Sequence, residues 1–370
     1  MRRVALFSTN FLEYSQTFVH EEIIHHERYE VEVFCRQRHL PERFPFEPTH
    51  VGTPGLYSLT RHCPKFHRVF QQRPFDLVHA HFGTGACYAY PYSHRYDLPL
   101  VVTFHGYDVP LLASTERLLP TNWPYALAAP TMLEHLTLGL CASHELFELL
   151  LEVGVPRERL RLYHLGVDLG AFKRGPRRAV PRVVMVGRFI EKKGFEYGVR
   201  GFADALARGA VGELTIIGTG EREAKLRALV AELGIGHAVT FAGVLTSQDV
   251  ASFLSESDVL MAPSVVAIDG NRESGVIALK EGSACGLAVL GTYHGGIPEI
   301  IEDGVTGYLV PERDVASLGD RLHRLLTDRA LCAQLGENGR VKIAREYNLP
   351  DQVAELESLY DEAVALGPVR

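Results

Sequence analysis

No stretch of the 370 residues approaches the roughly 20 consecutive apolar side chains needed to cross a bilayer. The longest charge-free stretches, Leu118–Leu133 and Gly282–Pro298, are interrupted by prolines or repeated glycines. Excess positive charge is missing too. Lys and Arg total 38 against 45 Asp and Glu, a net charge of −7, which argues against a nucleic-acid protein held by bulk charge. The six cysteines, Cys35, Cys63, Cys87, Cys141, Cys285 and Cys332, form no CxxC and no metal-ligand spacing, so reduced, buried thiols are expected. There is no DxD, hence no evident carboxylate pair for a divalent cation. The opening MRRVALFSTNFLEYSQ has a basic pair, but its apolar run ends too early for a secretion signal, and a cytoplasmic protein is expected.

What is present is ordinary globular composition, 46% hydrophobic and 22% charged, over a length that suits about two domains. Short β-like runs at Val4–Ser8, Val31–Cys35, Leu77–Phe82, Leu100–Phe104, Leu138–Ser143 and Arg161–His164 alternate with helical stretches. After the Gly/Pro/Arg-rich Gly166–Arg182 the pattern restarts at Val183–Val186, Leu214–Ile217, Val239–Phe241, Val259–Ala262, Ala288–Leu290 and Tyr308–Val310. Continuous apolar runs separated by helices indicate parallel sheets covered on both faces. Ser143 and Thr246 read as helix N-caps, and Gly154 and Gly234 as stops. The expectation is an α/β protein of two Rossmann-like, doubly wound domains facing across a cleft, 1–168 and 169–350. An amphipathic C-terminal helix at 351–366 is expected to rejoin the first. Ligands of such sheets bind outside the C-terminal strand ends.

The densest chemistry lies in Asp269–Pro311. Glu273 and Glu281 are eight residues apart, with the small turn Ser274–Gly275 after the first. A helix starting near Gly275 would put Glu281 two turns inside, about 12 Å of rise from Glu273. That span suits a nucleotide-sugar, with one carboxylate on sugar hydroxyls and the other on ribose hydroxyls. The amides of Gly275, Val276 and Ile277 would face a diphosphate at the helix N-terminus. Two unrelated surface glutamates produce the same spacing. The strand exit VVMVGRFIEKKG supplies Arg188 and Lys193, cations suited to a diphosphate, or merely solvated loop charges. Gly218 in GTGER lets backbone approach a nucleotide or simply makes a turn, and Val244 in FAGV stands at another strand exit.

The ordered set GRFIEKKG, GTGER, FAGV, ESGVIALKE and ACGLAVLGTYHGGIPEIIEDGVTGYLV resembles the C-terminal half of glycosyltransferase family 4 (group 1). STNFLEYSQTFVHEEI, HAHFG, TFHGYDV and LYHLGVDLGAF resemble its N-terminal half, collinear from about Val4 to Tyr347. The resemblance implies a retaining, metal-independent GT-B enzyme that moves a sugar from a nucleotide-diphosphate donor, UDP- or GDP-linked, to a hydroxyl acceptor. By position it implies Arg188 and Lys193 on the diphosphate, Glu281 on ribose and Ser274–Ile277 over the phosphates. It also implies Glu273 facing the donor sugar and His105 near sugar and acceptor, the two catalytic candidates. Ser15, Gln16, Thr17, Tyr107 and Asp108 fall on the acceptor side, and Ser15–Thr17 resembles the Ser-Glu-Thr of a polysaccharide-synthesis branch. The sequence departs from the family at Ser274–Val276 and at Lys280, which sets a cation beside Glu281.

The acceptor class stays open between glycan, lipid-linked and small-molecule hydroxyls, and no cofactor, metal or nucleic acid is expected. A phosphorylase or a sugar-nucleotide epimerase on the same frame remains the alternative, and a two-domain solute receptor is the reading outside enzymes. Fourteen of 17 histidines precede Gly166. His79 and His81 share a strand face that suits a metal, but no third ligand is evident, and satisfied core histidines account for them as well. The basic segment Arg61–Arg73 around Phe66 and Phe70 suits either peripheral contact with an anionic inner membrane face or a solvated helix.

Overall fold

The computed structural model describes residues 1–14, 16–53, 55–120 and 122–370, with side-chain surroundings also left aside at 56, 59, 113 and 116. The chain divides into two compact units, Met1–Gly166 with Pro350–Arg370, and Val167–Leu349.

In the first unit seven strands form one parallel sheet. They are β1 (Arg2–Phe11), β2 (Tyr29–Arg38), β3 (Thr49–Val51), β4 (Leu77–His81), β5 (Leu100–Phe104), β6 (Leu138–Cys141) and β7 (Leu160–Leu162), in the spatial order β3-β2-β1-β4-β5-β6-β7. The pairing of β4 on β1 matches Leu6 with His79, and β5 on β4 matches His81 with Thr103. All five residues of both β4 and β5 are buried, as central strands covered on both faces require. Strand β3 was invisible in the sequence because its three residues, Thr-His-Val, lie on the sheet edge and are mostly solvated.

The second unit repeats the design with six strands: β8 (Arg182–Val186), β9 (Glu213–Ile217), β10 (Val239–Gly243), β11 (Val259–Ala262), β12 (Ala288–Thr292) and β13 (Gly307–Val310), ordered β10-β9-β8-β11-β12-β13. In each unit the order reverses beside the first strand, between β1 and β4 and between β8 and β11. That reversal opens the crevice in which doubly wound sheets bind ligands.

The helix ends follow their local chemistry. Ser143 Oγ accepts from the Leu146 amide at 3.3 Å, and Thr246 Oγ1 from that of Asp249 at 3.1 Å. Gly154 and Gly234 close their helices at positive φ. The C-terminal helix Leu349–Leu366 continues into the first unit, where Leu356, Tyr360 and Ala363 are fully buried. Glu357 Oε1 accepts from the amides of Glu27 and Arg28 at 2.8 Å each and meets His26 Nδ1 at 3.1 Å. Tyr360 Oη lies 2.7 Å from His79 Nδ1. All six cysteines are unpaired and buried, as their scatter implied. In the helix Pro64–Gln72, Phe66 and Phe70 join the core around Phe7, Phe34 and Tyr92. That helix therefore presents Lys65 and Arg68, and no apolar face, to solvent.

Candidate functional site

The switch point of the second unit assembles the predicted donor residues from two strand exits. Strand β8 leads into Gly187–Gly194, and β11 into the long segment that carries Glu273 and enters the helix Ile277–Ala284. Glu273 is buried at 7% exposure between two ammonium groups, with Oε2 accepting from Lys193 Nζ at 3.0 Å and Oε1 3.4 Å from Lys192 Nζ. Lys192 itself donates to the Arg272 carbonyl at 3.0 Å. Burial raises the Glu273 carboxyl pKa, but Lys192 and Lys193 outweigh it and bring it down to about 2. Burial lowers the Lys192 pKa against the pull of Glu273.

Behind Glu273 stands a further layer. Its amide donates to His294 Nε2 at 2.9 Å, so the imidazole proton sits on Nδ1, 2.6 Å from Glu312 Oε1. Glu312 Oε2 also accepts from the Val266 amide at 2.9 Å. Lys192, His294 and Glu312 were missed in the sequence. The tandem lysine of EKKG and the histidine of GTYHGG were the available signals, and neither reveals its partner.

Arg188 is exposed, and its guanidinium makes no hydrogen bond or ion pair among the described residues. With Glu191 of the same loop taken up by Arg222 at 3.3 Å, three cations thus stand against the Glu273 carboxylate, a surplus of positive charge at the strand exits. The glycines here serve the fold first. A Cβ on Gly218, whose φ is +131°, would lie 2.0 Å from the Gly187 carbonyl oxygen. The Phe189 amide donates to the Thr219 carbonyl at 2.9 Å, binding the two exits together. Val244 is 45% exposed just past β10.

The helix carrying Glu281 begins at Ile277 rather than near Gly275, so Glu281 lies one turn inside it, and the estimate of 12 Å of helical rise does not apply. The Val276 amide donates to the Ser274 carbonyl at 2.9 Å, which removes it from the expected row of anion-facing groups. The Ile277 amide, first in the helix, has no partner within the helix. Ser274 and Val276 are buried, and Gly275 is half-buried. The Glu281 carboxylate has no hydrogen bond or ion pair among the described residues, and burial alone pushes its pKa up to about 7. Lys280 does not flank it as a pocket cation. It is buried with its ammonium 4.3 Å from the Tyr347 ring centroid, and burial lowers it to about 7.

In the first unit His105, just past β5, packs beside Phe18 and Phe82 at 5.0 and 4.4 Å between ring centroids. Burial pushes its pKa well below the usual histidine range. His105 Nε2 lies 3.0 Å from His81 Nδ1, and His81 Nε2 lies 3.1 Å from Glu22 Oε1. Asp108 does not face an acceptor. It is fully buried, accepting from the amides of Gly83 at 2.7 Å and Gly106 at 3.2 Å, so it builds the loop that presents His105. Tyr107 beside it is 41% exposed. Gln16 Oε1 accepts from the Glu13 amide at 3.1 Å, and Thr17 opens the helix Thr17–Ile24. Ser15 lies outside the described residues. The third ligand that the sequence lacked for His79 and His81 is Glu22, all three offering ligand atoms within 4.8 Å of one another. Both His79 nitrogens are engaged, however, by Tyr360 and by Thr103 Oγ1 at 2.8 Å.

Two parallel, doubly wound α/β units of seven and six strands are the architecture of GT-B glycosyltransferase structures. Residues 171–342 match the family Glycosyl transferases group 1, and residues 24–171 match Glycosyltransferase Family 4. The chain belongs to these glycosyltransferases.

Among curated relatives, the amylovoran biosynthesis glycosyltransferase AmsK of Erwinia amylovora is 29% identical over 309 residues, covering 81% of this chain and 73% of AmsK. The putative colanic acid biosynthesis glycosyltransferase WcaL of Escherichia coli is 33% identical over 214 residues, covering 56% of this chain and 52% of WcaL. Among solved structures, Anabaena HepE in complex with UDP and glucose superposes with a TM-score of 0.79 at 17% identity, over 98% of this chain and 100% of that one. Sucrose-phosphate synthase from Thermosynechococcus elongatus superposes at 0.77 and 22% identity, over 99% of this chain and 100% of that one. No helix among the described residues is long and apolar enough to cross a membrane.

Proposed function

We propose that this protein transfers a sugar from a UDP- or GDP-linked donor to a hydroxyl acceptor, with retention of configuration and without a metal ion. The observation that carries this reading is the switch-point cluster of Arg188, Lys192, Lys193 and Glu273, with the partnerless Glu281 one turn inside the adjacent helix. The HepE complex with UDP and glucose supports the donor class, and the names of AmsK and WcaL support a glycan under construction as acceptor.

Transfer breaks a glycosyl–phosphate bond, and negative charge grows on the departing diphosphate. Arg188, Lys193 and the Ile277 amide at the helix N-terminus stabilise that charge in a site already surplus in cations. Glu281 accepts from the ribose hydroxyls, which supply the donors its carboxylate lacks. Glu273, held by both lysines and by the His294 contact to its amide, meets the sugar hydroxyls with its carboxylate. His105 accepts from a hydroxyl near the reacting carbon. Gln16, Thr17 and Tyr107 border the acceptor. Contact with an anionic membrane carrying a lipid-linked acceptor would run through Lys65 and Arg68 by charge alone, since Phe66 and Phe70 are spent in the core.

The decisive experiment offers the purified protein a panel of UDP- and GDP-sugars with EDTA present and measures nucleoside diphosphate release with and without glycan, lipid-linked and small-molecule acceptors. Acceptor-dependent release and an α-linked product from an α-donor support the reading. Loss of all turnover in EDTA ends the metal-free part, and orthophosphate-dependent or epimerised products would point to the phosphorylase or epimerase. His105→Ala should lower turnover more than donor affinity, and a fall in donor affinity alone would remove His105 from the reacting centre.

A further inference from the structure

His105 reaches into a buried chain of polar groups behind it. Tyr163 Oη donates to Glu22 Oε2 at 2.8 Å, Glu22 Oε1 stands 3.1 Å from His81 Nε2, and His81 Nδ1 stands 3.0 Å from His105 Nε2. Glu22 is 2% exposed and His81 fully buried. Glu22 Oε1 and His81 Nε2 are buried with no aligned hydrogen bond among the described residues and face each other only as a close pair at 3.1 Å, and His105 Nδ1 is buried with no partner. The two imidazoles lie nearly parallel, 5.2 Å apart at 21°. The chain crosses the β1–β4 switch point, since Glu22 comes from the helix after β1, His81 ends β4 and His105 follows β5.

We propose that Glu22 and His81 are positioning residues that set the tautomer of His105, leaving its Nδ1 as the hydrogen-bond acceptor for a substrate hydroxyl. The inference rests on the reading of His105 as a residue that meets substrate. A carboxylate oxygen and an imidazole lone pair repel each other at 3.1 Å, so the proton between them sits on His81 Nε2. In the proposed arrangement that is the one proton His81 carries, so its Nδ1 accepts and the proton in the next contact belongs to His105 Nε2. The one remaining lone pair is on His105 Nδ1. Burial, which keeps His105 neutral, acts in the same direction. A histidine whose second nitrogen is committed to a carboxylate-backed partner keeps one ring orientation and one tautomer, the device by which buried carboxylates orient reactive imidazoles elsewhere.

The test reads tautomers directly, by long-range ¹H–¹⁵N correlation on the full-length protein labelled at histidine, with His81 and His105 assigned by single substitutions. Both should carry their proton on Nε2. Glu22→Gln keeps the side-chain shape and lets the amide oxygen accept from Tyr163, while its NH2 donates to His81 Nε2. Protons then move to Nδ1 of His81 and of His105, so His105 Nδ1 becomes a donor. The expected result is that tautomer switch, with kcat lowered about 10- to 100-fold and nucleoside diphosphate affinity within twofold of the unaltered protein. An Nδ1–H tautomer for His105 in the unaltered protein, an unprotonated metal-shifted His81 Nε2, or an unchanged His105 tautomer in folded Glu22→Gln would each overturn the proposal. The measurement on the unaltered protein needs no variant to fold. Because the tautomer is read without sugar or turnover, a correct tautomer in a protein that transfers nothing would fault the functional reading and leave the relay standing.

Discussion

Glu281 illustrates how much a single side chain's surroundings reveal. Its carboxyl is raised to about 7 by burial with no cation beside it, an arrangement with a cost that a purely structural residue has no reason to carry. The folded site binds its proton more tightly than the unfolded chain does. The stability it contributes is therefore complete below the unfolded pKa and is lost as pH rises through about 7. Glu281→Gln should accordingly stabilise the protein at pH 8 and do little at pH 4.5, visible as a pH-dependent difference in Tm. The side chain is half-buried, so solvent screening leaves the gain at about 1–2 kcal/mol. The same substitution should weaken nucleoside diphosphate binding roughly tenfold or more, and in the unaltered protein that binding should weaken as pH falls below 7. Arg188→Ala should lower kcat/KM by about 10²–10³-fold through lost stabilisation of the departing diphosphate, measured as nucleotide release at saturating acceptor.

At the scale of elements, the two strand exits of the second unit act as one piece. Gly218→Ala would push a methyl group to 2.0 Å from the Gly187 carbonyl oxygen at a φ of +131°. A cost of about 1–3 kcal/mol, seen in chemical denaturation, should come with weaker donor binding because the Gly187–Gly194 loop must move. In the first unit the C-terminal helix is tied to β4 by Tyr360 and His79. Tyr360→Phe strands a buried imidazole nitrogen and should cost about 1–3 kcal/mol, without altering nucleotide affinity. Caps and stops at Ser143, Thr246, Gly154 and Gly234 were legible in the sequence because each is settled within four residues. The start of the Glu281 helix was not, since no Ser, Thr, Asp or Asn cap marks it and Val276 occupies that place.

For the whole molecule, two consecutive αβ patterns separated by a Gly/Pro/Arg-rich stretch imply two units, but the final 21 residues belong to the first of them. Ending the chain at Leu349 would remove Leu356, Tyr360 and Ala363, each at zero exposure, and uncover the core surface they cover. Each large buried side chain is worth about 1.5–3 kcal/mol, so the truncated chain should lose the first unit's cooperative unfolding transition in calorimetry.

Residue order alone determined the alternation of apolar runs and helices, the parallel sheets that follow from it, and the family motifs on the strand exits. Those signals are written within a few neighbouring residues. Tertiary structure decided which charges meet. Lys193 and Glu273 are 80 residues apart, and only the adjacency of β8 and β11 brings them to 3.0 Å. In the first unit the reversal between β1 and β4 sets Glu22 against His81, and the pairing of β4 with β5 brings Asp108 to the Gly83 amide; within the second unit, packing of separate helices commits Lys280 to the Tyr347 ring. Partners of this kind depend on strand order and burial, quantities that no local periodicity encodes.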